Sequence, residues 1–335
     1  MDGPAGTVVL AFDKFRGTAD AGELVAAGAV AAEAAGWRAV PVPLADGGEG
    51  SLAAIGGPNK RTTVADALGR PVEAPWLLQG RDAFIEMAAA SGLVVAGGPD
   101  GNDPVGGDTR GTGQLIATAI ELGARTVTVF LGGSATTDGG WGAIQALPPP
   151  ARLKEIDLVV ATDVATRFTD AARVFGPQKG ASPAQVELLT RRLNRLVQMY
   201  RDSYGIDVSE LPGAGAAGGL AGGLVAVGGR IGPGFDVVAE RVGLDERLQG
   251  ADLVVTGEGF LDAESFDGKV VGGVRTWAAE SGVPVMAIVG DRDPDLEPPD
   301  GIRVVSLAQR FGLERALGQP RELVARVISD ELAGA

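Results

Sequence analysis

The chain has 335 residues, 53 of them glycine, and contains neither cysteine nor histidine, which excludes disulfides, thiol nucleophiles, Cys- or His-ligated metals and imidazole acid–base chemistry. Lys and Arg number 29 against 43 Asp and Glu, and a net charge of −14 with only 5% aromatic residues argues against a nucleic-acid partner. Carboxylates, Lys, Arg, hydroxyls, backbone amides and a hard cation remain, and these suit phosphoryl transfer, where positioning outweighs covalent chemistry.

The length predicts two domains, or one large α/β unit with an insertion. Met1-Asp2-Gly3-Pro4 lacks a basic and apolar leader pattern, so a cytoplasmic protein is expected. Thr7–Phe12 is an apolar β-rich run ending at Asp13-Lys14-Phe15-Arg16-Gly17, which places two cations at a strand end. Thr18 or Asp20 then caps a helix through about Ala35, stopped by Gly36. A second strand, Trp37–Leu44, runs into Ala45-Asp46-Gly47-Gly48-Glu49-Gly50. This strand–loop–helix rhythm predicts a parallel α/β sheet with its functional loops at the strand C-termini.

From Thr62 to about Met87 short strands and turns predict a mixed sheet and a second domain. Thr109-Arg110-Gly111-Thr112 precedes a helix over Gly113–Leu122, and the Arg110 fork suits a carboxylate or phosphate. Thr126–Leu131 is a strand entering Gly132-Gly133-Ser134-Ala135-Thr136-Thr137-Asp138-Gly139-Gly140. Pro148-Pro149-Pro150 is a rigid break, and Ile156–Ala161 a strand ending at Thr162-Asp163. Lys179 follows the turn Phe175-Gly176-Pro177, and Ser182–Tyr200 is an amphipathic helix.

The uncharged stretch Leu211–Gly229 is crowded with Gly and Ala and is expected to be buried rather than membrane-spanning. Within it Gly213–Gly218 satisfies GxGxxG, but Asp207–Pro212 ahead of it makes a poor strand. Close helix packing, or an anion site on its amides, therefore outranks a nicotinamide site. Strand Asp252–Thr256, loop Gly257-Glu258-Gly259, helix Gly268–Glu280 and strand Pro284–Val289 restore the opening rhythm. Residues 1–57 with 250–335 are accordingly expected to form one discontinuous domain, and 58–249 an inserted one.

Taken in order, AFDKFRGT (11–18), PLADGGEGS (43–51), MAAASGL (87–93), DTRGTGQLI (108–116), FLGGSATTDGGWGAIQAL (130–147), VFGPQKGAS (174–182), PGAGAAGGLAGGL (212–224) and ADLVVTGEGFLDAESFDGK (251–269) resemble the bacterial glycerate kinase family. The resemblance implies two unlike α/β domains, one flavodoxin-like, with the active site between them. It also implies ATP- and Mg²⁺-dependent phosphorylation of D-glycerate to 2-phosphoglycerate by a monomer or homodimer. For such a reaction, with no His in the chain, the base should be an Asp, Asp46 ahead of Asp138, and Lys179 and Asp163 complete the expected catalytic set. Lys14, Arg16, Ser91, Thr109 and Arg110 would face the substrate. Gly132, Gly133, Ser134, Gly215, Gly218, Gly257 and Lys269 would face phosphates, and Asp163, Glu258 and Asp138 the metal. Lys14, Arg16, Thr109-Arg110, Gln114 and 165–168 depart from the family pattern, so a silent or substrate-shifted paralogue is the alternative, ahead of an NAD(P)-dependent oxidoreductase.

Overall fold

The computed structural model describes residues 4–334. Met1–Gly3, which enter the expectation of no leader, lie outside the described residues. The chain divides into two compact units. One comprises the chain through Asp46, Ala53–Ile55 and the segment from Gly234 onward; the other comprises Gly47–Leu52 and Gly56–Pro233.

The first unit opens with β1 (Thr7–Phe12), buried from Val8 to Phe12. Asp20 starts α1 (Ala21–Ala34) through a capping box. Its carboxylate accepts from the Glu23 N–H at 2.8 Å, and Glu23 accepts from the Asp20 N–H at 3.3 Å. Next, β2 (Arg38–Pro41) is shorter than expected because Pro41 and Pro43 lack N–H donors. Val42 and Leu44 still donate to Leu10 and Phe12, so the extended run reaches Leu44 without a full ladder.

In the second unit β3 (Lys60–Ala65), β4 (Pro71–Gln79) and β5 (Asp82–Glu86) form an antiparallel meander. Then come α2 (Arg110–Glu121), β6 (Thr126–Phe130), β7 (Asp157–Thr162), α3 (Pro183–Tyr204), α4 (Ala216–Ala226) and β8 (Arg230–Pro233). The sheet runs β3-β4-β5-β6-β7-β8, parallel from β5 onward, as the mixed pattern predicts. Trp76, Ile85, Leu115, Val127, Val160 and Leu220 fill its core. The uncharged stretch is buried as α4, and no helix among the described residues is long and apolar enough to cross a membrane.

Back in the first unit lie α5 (Gly234–Val242), β9 (Leu253–Gly257), β10 (Phe260–Leu261), α6 (Val270–Glu280), β11 (Val285–Val289), β12 (Asp291–Arg292), β13 (Ile302–Ser306) and α7 (Pro320–Leu332). The main sheet is wholly parallel, in the order β13-β11-β9-β1-β2. Counted within the unit this is the doubly wound order 2-1-3-4-5, whose direction reverses between β1 and β9. Ligands of such sheets bind beyond the strand ends at that reversal.

Candidate active site

In the first unit the two loops at the reversal are hydrogen-bonded, the Asp13 N–H donating to the Gly257 carbonyl at 3.0 Å. Phe15 is buried against Phe12 and exchanges backbone hydrogen bonds with Ala19, so the loop doubles back and leaves Arg16 exposed at its turn. Lys14 is half-buried. Gly259 allows the loops to close: a Cβ there would stand 3.2 Å from the Arg16 nitrogen.

Glu258 follows β9, and its buried Oε1 has no hydrogen-bond partner. Burial pushes this carboxyl up to about 7; the Ser265 hydrogen bond and Lys269 oppose the shift, and the Asp13 and Asp262 carboxylates add to it. For Lys269 burial disfavours the charge. A hydrogen bond to Glu264 at 3.3 Å, with the carboxylates of Asp262 and Glu258, outweighs that and raises its pKa. Asp46 stands two residues beyond Leu44, partly buried. This unit therefore gathers Lys14, Arg16, Gly257 and Glu258 at strand ends, with Lys269, at the start of α6, interacting electrostatically with Glu258.

In the second unit, among the parallel strands, β5 ends at Glu86, β6 leads through Leu131 into Gly132-Gly133-Ser134, and β7 is followed by Asp163. Gly133 is exposed, whereas Ser134 and Asp163 are half-buried. Ser134 pairs with Gly92 in an isolated bridge, which brings the β6 loop beside Ser91.

Deeper in the same loop lies Asp138, only 6% exposed. Its Oδ2 accepts from the Thr109 N–H at 3.0 Å, the Thr109 hydroxyl at 2.8 Å and the Gly142 N–H at 2.9 Å, and its Oδ1 from the Gly140 N–H at 3.1 Å. Burial nevertheless raises its pKa against those four donors. They occupy the carboxylate's lone-pair directions, so Asp138 works as a knot joining the β6 loop to α2 rather than as an open metal ligand.

Lys179 is 2% exposed, and its Nζ donates to the Thr136 carbonyl at 2.7 Å. Burial pulls its pKa down to about 7, with the Asp138 charge acting in the opposite sense. The amine grips the loop instead of projecting toward a ligand. Ser91 and Thr109 are fully buried, Ser91 sharing a hydrogen bond with Thr112 at 2.9 Å, while Arg110 is exposed beside Asp108. Gln114, a departure from the family pattern, accepts from the Ala65 N–H at 2.9 Å and ties α2 to β3.

Gly215 and Gly218 are buried among backbone, as the close-packing alternative requires. A Cβ at Gly215 would stand 2.3 Å from the Arg167 carbonyl oxygen, and one at Gly218 2.0 Å from that of Thr136. Among the described residues the element directly ahead of Gly213 is the helix α3, not a strand, so the dinucleotide pattern lacks its structural context. Ala217 beside it is buried and has φ 51°, a left-handed conformation rare without glycine.

Two residues escaped the sequence reasoning. Asn102 donates from Nδ2 to the carbonyls of both Ala135 and Lys179, at 3.0 Å each. Glu86 binds backbone far away in sequence; its only signal was an acid closing the apolar run Ala83-Phe84-Ile85.

The profile of the glycerate kinase family matches residues 8–150 and 149–332. The chain belongs to the glycerate kinase family. Glycerate 2-kinase of Escherichia coli (strain K12) is 37% identical over 295 residues, which cover 77% of each chain. The glycerate kinase of Halalkalibacterium halodurans is 36% identical over 328 residues, 85% of each chain. A crystal structure named "putative glycerate kinase 2", from Salmonella typhimurium LT2, superposes with a TM-score of 0.80 at 32% identity, covering 98% of this chain and 99% of that one. Membership in the glycerate kinase family implies a kinase that uses ATP on a small hydroxy acid.

Proposed function

We propose that this family member transfers the γ-phosphoryl group of ATP to the 2-hydroxyl of D-glycerate, giving 2-phosphoglycerate. The observation that carries the proposal is the pair of loops at the sheet reversal, one bearing Lys14 and Arg16, the other Gly257 and Glu258. The Arg16 guanidinium holds the substrate carboxylate through a planar fork. Asp46 accepts the hydroxyl proton as the oxygen attacks phosphorus and the bond to the β-phosphate oxygen breaks toward ADP. Lys14 and Lys269 neutralise phosphate charge.

Mg²⁺ suits this residue set: Glu258 offers a buried oxygen with no hydrogen-bond partner, and hard cations take such oxygens. Glu258 would hold it. When bound, the ion supplies charge neutralisation at phosphate oxygens.

Coupled ADP release over a panel of small hydroxy acids, with phosphorus NMR of the product, tests the proposal. Turnover highest with D-glycerate and a single phosphomonoester coupled to the C2 proton are expected. Binding of ATP without turnover on any acid would make the chain a silent paralogue. Preference for another acid would trace to its departures at Lys14 and Arg16.

A further inference from the structure

Glu86 ends β5, and its Oε1 accepts from two backbone N–H groups, those of Gly50 at 3.0 Å and Leu52 at 2.9 Å, 36 and 34 residues away in sequence. The segment it holds, Gly47–Leu52, contains Gly47 and Gly50 at φ 91° and 99°, conformations that leave a free chain many alternatives. Ser51 tightens the segment from within, its hydroxyl donating to the Gly48 carbonyl at 2.7 Å. On its other flank stands Gly132, at the end of β6. A Cβ there would lie 2.7 Å from the Gly48 Cα and 3.0 Å from the Glu49 nitrogen. An acceptor at the end of β5 and a missing side chain at the end of β6 thus grip the same glycine-rich loop from two adjacent strands.

We infer that Glu86 is a positioning residue for phosphoryl transfer, fixing the backbone of the Gly47–Gly50 loop that directly follows Asp46. The inference rests on the kinase function proposed above. Glu86 touches no substrate. It acts by holding amides whose freedom would otherwise have to be removed at each turnover, and charge-assisted acceptance makes the hold stronger than a neutral oxygen would. A Gln carbonyl oxygen can still accept both bonds, more weakly, so the hold outlasts the loss of the charge.

E86A and E86Q separate these roles when kcat, both KM values and amide hydrogen exchange are measured on the full chain. For E86A, kcat falls at least 20-fold with both KM values within threefold. Exchange at Gly50 and Leu52 accelerates at least tenfold, while the core amides of β5 and β6 stay protected. E86Q keeps kcat within threefold of wild type and retains that protection. An E86A kcat within twofold of wild type overturns the inference, as does an E86Q as impaired as E86A. Should E86A fail to fold, E86Q decides: near-normal kcat with protection retained supports positioning, and a larger loss overturns it. A wild-type chain that turns over no hydroxy acid overturns the function and the catalytic positioning together. Normal turnover with unchanged exchange in E86A overturns Glu86 alone.

Discussion

At the scale of single residues, Glu258 is the group whose environment and chemistry are most tightly linked. Its folded pKa of about 7 lies above the model-compound value of 4.5, so between these values the native state keeps a proton that the unfolded chain releases. The stability held below about pH 4.5 is therefore lost as pH rises through 7. A shift of that size corresponds to at most about 3 kcal/mol. Asp138 contributes in the same sense, whereas Lys179, with its pKa lowered to about 7, restores stability only at higher pH. The comparison of wild type with E258Q isolates Glu258. In chelator, urea unfolding at pH 5 and pH 8 should show a steeper loss for wild type, with E258Q the more stable at pH 8. Millimolar Mg²⁺ should raise the wild-type melting temperature at pH 8 and leave E258Q unmoved. Parallel pH profiles for the two proteins would mean that the side chain stays hydrated.

Elements depend on local signals that a sequence displays openly, and α1 shows how much such a signal contributes. Asp20→Ala removes one half of the capping box and should cost about 1 kcal/mol, lowering the melting temperature by about 2–4 °C. An unchanged melting curve would show that tertiary packing, not the cap, sets where α1 starts. The same kind of signal made β1, β6 and β11 legible as apolar runs, and α3 from its Ser182 start. Strand β8, Arg-Ile-Gly-Pro at a sheet edge, has no apolar run and could not be read that way. The candidate site divides along similar lines. Cations and glycines at strand ends, such as Arg16 and Gly257, were readable because the strands preceding them were. Neither the burial of Lys179 nor the grip of Glu86 was readable. Their partners lie 43 and 34–36 residues away, and only the sheet order brings them together. Spacing also could not distinguish the glycines near ligand-facing loops from those, like Gly218, that make room for another backbone.

For the molecule as a whole, the net charge of −14 opposes the approach of the anionic substrates proposed for it, while Lys14, Arg16 and Lys269 attract them locally. The two effects have different ranges. At about 0.01 M ionic strength fields reach roughly 30 Å and the global repulsion is felt; at about 0.1 M they reach roughly 10 Å and mainly the near cations remain. The kcat/KM for the hydroxy acid should accordingly rise about two- to threefold between those ionic strengths, then fall toward 1 M, where screening within roughly 3 Å reaches the close pairs. The expected kcat stays level, because the bound complex is shielded from the distant charge. Arg16→Gln should shallow the fall at high salt and keep the rise at low salt, since one of the three near cations has been removed. A monotonic fall from the lowest ionic strength, measured by coupled ADP release, would show that the strand-end cations already govern encounter and that the acidic remainder of the surface is too remote to matter.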